Sequence, residues 1–176
     1  MSVTYPTSSL AYSSITGRPL WVSVILFWSG MRTTGVETDF ISGGSQTSTT
    51  WVEPASYFGD SAAVAMSTPP AYRKTIDFSK LGSIGTAYFQ AVLGVAAVSI
   101  TDINARLYNV TNAVAITNST GTKTSPVADT DYEVTSADCA ANLPTASKEM
   151  TFQVMQTSAG SAATLIGRAE LIVYWN

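Results

Sequence analysis

Histidine is absent from these 176 residues, cysteine occurs once, at Cys139, and only 12% of the chain is charged, where about 25% is usual for a soluble domain. Each shortage excludes something. Without histidine there is no Ser-His-Asp or Cys-His triad and no His-ligated catalytic zinc. A single cysteine allows neither a Cys-rich zinc site nor an intrachain disulfide. The nine Lys and Arg are scattered, with Arg73-Lys74 the one adjacent pair, and the net charge is −3. Phosphate binding therefore lacks an electrostatic footprint, and no nucleic-acid partner is expected. Long apolar runs are missing too. The longest, Leu20 to Trp28 with Ser23 inside it, has nine residues, against about 20 for a membrane helix. The opening MSVTYPTSSL carries no basic region of a signal peptide. No membrane partner and no secretory routing are expected.

Hydroxyls take the place of charge. Ser and Thr supply 46 residues, about a quarter of the chain, while 45% is hydrophobic. A soluble monomer keeps many charges on its surface for solubility. A chain this apolar and this uncharged suits a surface largely covered in an assembly, where charges would be costly to desolvate. Composition thus points away from an enzyme and toward a structural or binding protein. No catalytic residue, cofactor or metal ligand set is assigned.

Periodicity gives the class. Leu20 to Trp28 is apolar on both faces, the pattern of a central strand covered on both sides. Weak strands follow near Val36 to Ile41, Thr50 to Glu53 and Ala62 to Ser67, with Ser42-Gly43-Gly44-Ser45 and Pro69-Pro70 as turn signals. Tyr72 to Phe78 and Thr86 to Val95 read as strands. Thr101 to Val110 alternates Ile103, Ala105 and Leu107 against Asn104 and Arg106. Ala113 to Thr117 and Tyr132 to Thr135 are shorter. Lys148 to Thr157 sets Met150, Phe152 and Val154 against Thr151, Gln153 and Met155. A hairpin turn at Ser158 to Ser161 leads into Ala163 to Trp175, with Leu165, Gly167, Ala169, Leu171 and Val173 facing inward. No helix of convincing length appears. Eight to ten strands at this spacing predict an all-β chain folded as a single antiparallel β-sandwich over residues 19–176. Residues 1–18 are hydroxyl-rich yet carry Tyr5, Leu10, Tyr12 and Ile15. That spacing of apolar groups suits an extended arm laid on a neighbouring subunit.

Three features merit a chemical reading. Asp129, Asp131 and Glu133 alternate, and an extended backbone would put all three on one face, as a hard cation requires. The same pattern describes a solvated acidic loop, and the EF-hand spacing fails because Val134 stands where glycine is needed. Trp51 lies between a Thr-rich loop and Pro54, which makes it the tryptophan most open to stacking on a sugar. Trp21, Trp28 and Trp175 read as core or interface. Cys139, in SADCAANLP, reads as a half-buried thiol in a loop. Glu170 alternates with an inward face and so points outward, which leaves no apolar-flanked acid for glycoside hydrolysis.

The stretch from Tyr72 to Tyr174 resembles the β-sandwich or jelly-roll modules of tailed-phage virion proteins. The resemblance lies in the TAYFQAVLGV strand, the NARLYNVTNAVAITNS segment and the closing hairpin MTFQVMQTSAGSAATLIGRAELIVYW. It implies a jelly-roll-like fold and a decoration, capsid-associated or tail role in a virion, in symmetric assemblies. Partners would be copies of the chain and another virion protein. Two other readings stand beside it: an extracellular filament or surface-layer subunit joined by donated strands, and a carbohydrate-binding adhesin module centred on Trp51.

Overall fold

The structure, a computed structural model, describes the backbone of residues 10–13, 19–29, 32–33, 36–37, 40–45, 50–54, 56–59, 62–65, 72–95, 102–128, 130–157 and 163–175. Side chains are described for residues 22–28, 50–54, 72–95, 102–128, 130–157 and 166–175. Strands account for most of the described residues and α-helix for none of them, against the 20–25% strand of an average domain. The all-β expectation holds. In chain order the strands are β1 (Leu10–Ser13), β2 (Pro19–Ser29), β3 (Arg32–Thr33), β4 (Val36–Glu37), β5 (Phe40–Ser45), β6 (Ser56–Gly59), β7 (Ala62–Ala65) and β8 (Lys74–Asp77). They continue with β9 (Ile84–Val95), β10 (Asp102–Asn109), β11 (Val114–Ala115), β12 (Gly121–Thr124), β13 (Tyr132–Thr135), β14 (Ser147–Gln156) and β15 (Ala163–Trp175).

Two antiparallel sheets pack face to face. At the centre of the first, β15 lies between β9 on one side and β2, followed by β5, on the other; β13 lies beyond β9 and β1 beyond β2. The second sheet runs β12, β10, β14, β8, with β11 also on β10. Four antiparallel pairs nest inside one another along the chain: β10 with β12, β9 with β13, β8 with β14, and β2 with β15. Successive pairs in that series belong to alternate sheets. The chain is in effect one long double ribbon wound back and forth across the sandwich.

Alternation explains the core. β9 buries Ala87, Phe89, Ala91 and Leu93 and leaves Tyr88, Gln90 and Val92 on the other side. β10 buries Ile103, Ala105 and Leu107, and β14 buries Met150, Phe152 and Val154, as their period predicts. Phe152 sits between the sheets, its ring 5.2 Å from Tyr72 and 6.4 Å from both Phe27 and Phe89. Such aromatic contacts add about 0.5–1.5 kcal/mol each beyond the area they bury. Along β15 the inward set differs from simple alternation. Ile166 pairs with Leu93 and Arg168 with Val92, so Gly167 is the extra residue of a bulge, and Ile166 is in the core together with Ala169, Leu171 and Val173. The side chain of Leu165 and the turn at 158–161 lie outside the described residues.

Other expectations need correction. Ser42 to Ser45, read as a turn, belong to β5, where Ser42 pairs with both Leu165 and Ser56. Between Thr50 and Glu53 there is no strand, only a bridge from Val52 to Val154. β12 went unread, because GTKT has no apolar pattern. It forms where Gly121 passes so close to Val134 that an added Cβ would stand 3.0 Å from the valine Cγ2. A glycine there lets the end of the second sheet meet the edge of the first.

Candidate assembly surfaces

At one margin of the first sheet a loop extends the pairing of β13 along β9. After β13 the chain continues along β9: Ser136 N donates to Phe89 O at 2.9 Å, and Phe89 N donates back to Ser136 Oγ at 2.9 Å. Further on, Ala87 N donates to Asp138 Oδ1 and Cys139 N to Ala87 O. Cys139 is therefore fully buried rather than half-buried, and its Sγ donates to Ala87 O at 3.3 Å. Burial pushes its thiol up to about 11, with the neighbouring Asp138 charge adding to the effect, so little reactive thiolate forms near neutral pH.

The opposite margin ends in β1. Leu10 pairs with Val22 and Tyr12 with Leu20, in the same chain. Tyr5 and Ile15, the other two residues of the expected arm, lie outside the described residues. Among the described strands β1 is the last beyond β2, and β7 ends the branch that runs from β5 through β6, so each outer edge offers a row of backbone N–H and C=O groups.

The outer face of the first sheet falls into two zones. Register places Val24, Ile172 and Tyr88 in one row across β2, β15 and β9, with Val22, Tyr174 and Thr86 in the row beside it. Val24 is 50% exposed and Leu26 41%. Tyr88 and Tyr174 meet edge to face at 6.1 Å. The expectation that both faces of this strand are covered therefore fails within one chain. Beyond Leu26 the face turns polar. Arg168 Nη2 donates to Glu133 Oε2 at 3.1 Å and to Gln90 Oε1 at 3.4 Å, and its Nε lies 3.3 Å from Glu170 Oε1. Glu170 does leave the core side, opposite Leu26 and Gln90, but these neighbours bury it to 8% exposure. Burial raises its pKa, the Arg168 charge opposes this, and Glu133 reinforces it.

The second sheet's outer face is a continuous polar layer. Thr122 donates to Asn104 Oδ1 at 2.7 Å, and Asn104 Nδ2 donates to Thr157 Oγ1 at 3.2 Å. Arg106 donates through Nε and Nη2 to Gln153 Oε1 at 3.0 and 2.7 Å, and its guanidinium lies 4.1 Å from the centre of the Trp51 ring. Trp51 is half-buried and already stacked on a cation of its own chain. Nearby, Arg73 holds Glu53 through two bonds of 2.9 and 3.0 Å, and the Tyr72 hydroxyl donates to Pro54 O. These contacts fasten the 50–54 segment over the sheet. Trp28 and Trp175 pack against the core; the side chain of Trp21 lies outside the described residues.

Of the alternating acids, Glu133 points to Arg168 on the first sheet and Asp131 precedes β13, while Asp129 lies outside the described residues. Among the described residues no three Cys, Asp or Glu side chains converge in a way that would hold a metal ion. The surfaces that the fold does build are a strand edge, an apolar sheet face and a polar sheet face. No protein-family profile matches the chain, and no curated protein sequence matches it.

Proposed function

We propose that the chain is a non-enzymatic structural subunit of a virion, a jelly roll that self-assembles through strand edges and its N-terminal segment. The strand order carries this reading. Eight strands order as β2, β15, β9, β13 against β8, β14, β10, β12, with their partners nested pairwise along the chain. A double ribbon wound in this way is the plan of the jelly roll, an architecture common in viral capsid domains, and the link from fold to role is one of analogy. The analogy is strengthened by the scarcity of charge and by an outermost strand drawn from the expected arm. Edge strands pair readily with another chain, which gives the arm segment a mechanical use. Partners would be copies of the chain and a second virion protein.

Light scattering after size exclusion, with negative-stain microscopy, tests this on residues 1–176 and 19–176. Closed rings, shells or tubes from the full chain, lost on truncation, support it. Open linear filaments favour an extracellular filament subunit instead. A full chain that stays monomeric at high concentration overturns self-assembly.

A further inference from the structure

We infer that the apolar zone on the outer face of the first sheet is a self-association surface, packed in the assembly against the same face of a second copy. The inference rests on the self-assembly reading and adds a surface distinct from the β1 edge. Val22, Val24, Leu26, Tyr88, Ile172 and Tyr174 form the zone, and none carries a charge. A lone β-sandwich has no physical need for valine and leucine here. An outward strand position in water is served as well by Thr or Lys, as the second sheet's outer face demonstrates with Thr122, Asn104 and Arg106. An apolar centre bounded by polar groups is the anatomy of a protein interface.

Three observations select a second copy as the occupant. The first is charge. The cation on this face, Arg168, is already held by Glu133 and Glu170. A nucleic acid or an acidic partner would find no cation on the zone, and a basic partner no carboxylate within it. An uncharged apolar sheet face is what this chain itself supplies. The second is desolvation. Covering the zone strands no charge, because Arg168, Glu133 and Glu170 at its margin are already ion-paired within the chain. The third is area. The sheet is five strands wide from β1 to β13. At about 4.8 Å per strand and about 3.4 Å per residue over some seven residues, the face measures roughly 24 Å by 24 Å. That is about 550 Å² per copy in projection, and on the order of 1,200 Å² for the pair once side-chain relief is included, the lower end of the standard interface. Two such sheets would stack about 10 Å apart with their strands about 30° from alignment.

The test is covalent capture on the full chain, with dilution as its second arm. The native thiol is buried, so single cysteines at Val24, Leu26 or Thr122 report alone. V24C and L26C should give a cross-linked dimer with a short bismaleimide, and T122C, on the opposite side, should not. In parallel, V24K and L26K should weaken self-association at least tenfold in sedimentation or light scattering, with unchanged circular dichroism. Cross-linking at Val24 together with that weakening sustains the inference. Self-association that persists unchanged in both lysine variants, with no cross-link at either position, overturns it while leaving assembly through β1 standing. A full chain that is monomeric at every concentration overturns both. Should one lysine variant misfold, the other and the cysteine pair decide.

Discussion

The two outer faces of this sandwich occupy equivalent places, yet they are built in opposite ways. On the second sheet two rows are tied: Thr122 to Asn104 to Thr157, and Gln153 to Arg106 to Trp51. On the first sheet the row at Val24 holds only Ile172 and Tyr88, and Val24 and Leu26 stand about half in solvent. The tied face is finished within one chain. The other has polar satisfaction only at its Arg168 end. The difference teaches that the first face sorts its residues, with the ion network around Arg168 at one end and the apolar residues around Val24 at the other. The apolar end is where a partner gains most by covering it.

The largest expected effect is common to both faces. Phe152→Ala removes the ring that contacts Phe27, Tyr72 and Phe89 between the sheets. It should cost about 3–5 kcal/mol in urea denaturation. A cost below about 1 kcal/mol would mean that the two sheets do not share this core. Arg106→Ala comes next and strikes the second face alone. It leaves the Gln153 carbonyl oxygen without its donor and the Trp51 ring without its cation. The expected loss is about 1–3 kcal/mol, because a buried polar group left unsatisfied costs that much. The 50–54 segment should also loosen, read as faster amide exchange at Val52, whose N–H bonds to Val154 O.

How legible these faces were in the sequence depends on period. The alternation of Ile103, Ala105 and Leu107 with Asn104 and Arg106, and of Met150, Phe152 and Val154 with Thr151 and Gln153, placed both sides of β10 and β14 correctly. Period 2 is a local property, readable from one segment. Gly167 shows its limit: one bulged residue changes the phase and brings Ile166 inward, and no local signal marked it. Strand order was not legible, since β2 and β15 pair across some 140 intervening residues and sandwiches of different connectivity share one pattern. Cys139 is more buried than its loop suggests, and Glu170 is outward as expected yet covered, for a similar reason. Their burial comes from β9, β2 and β13, strands distant in sequence. Trp51 looked open because its stacking partner, Arg106, lies far along the chain.

A smaller effect sharpens the comparison from the polar end of the first face. The Glu170 carboxyl holds its proton in the folded state to a higher pH than in the unfolded chain, through burial. As pH climbs from the ordinary glutamate value of 4.5 through the raised one, the folded state must give up a proton the unfolded chain has already lost. Stability therefore falls across that window and levels above it. Glu170→Gln should flatten this slope. Thermal melts from about pH 4 to about pH 8 on both proteins check it. A slope that is identical in the variant would place the pH dependence elsewhere.

The smallest expected effect is the most discriminating. Val24→Thr keeps the β-branched shape and strand propensity, and Val24 is already 50% exposed in the single chain. At low protein concentration the change should alter stability by less than about 0.5 kcal/mol, the range of ordinary surface substitutions. At high concentration the same variant should lose part of the wild-type rise in melting temperature, because a hydroxyl replaces a methyl in a contact that only the associated form makes. The wild-type melting temperature must therefore depend on concentration, and more strongly than that of the variant. Arg106→Ala should show the converse: a large loss that is the same at every concentration, since its partners Gln153 and Trp51 belong to its own chain. If Val24→Thr is instead costly in dilute solution, then this face is stabilised from within the chain, and the contrast between the two faces disappears.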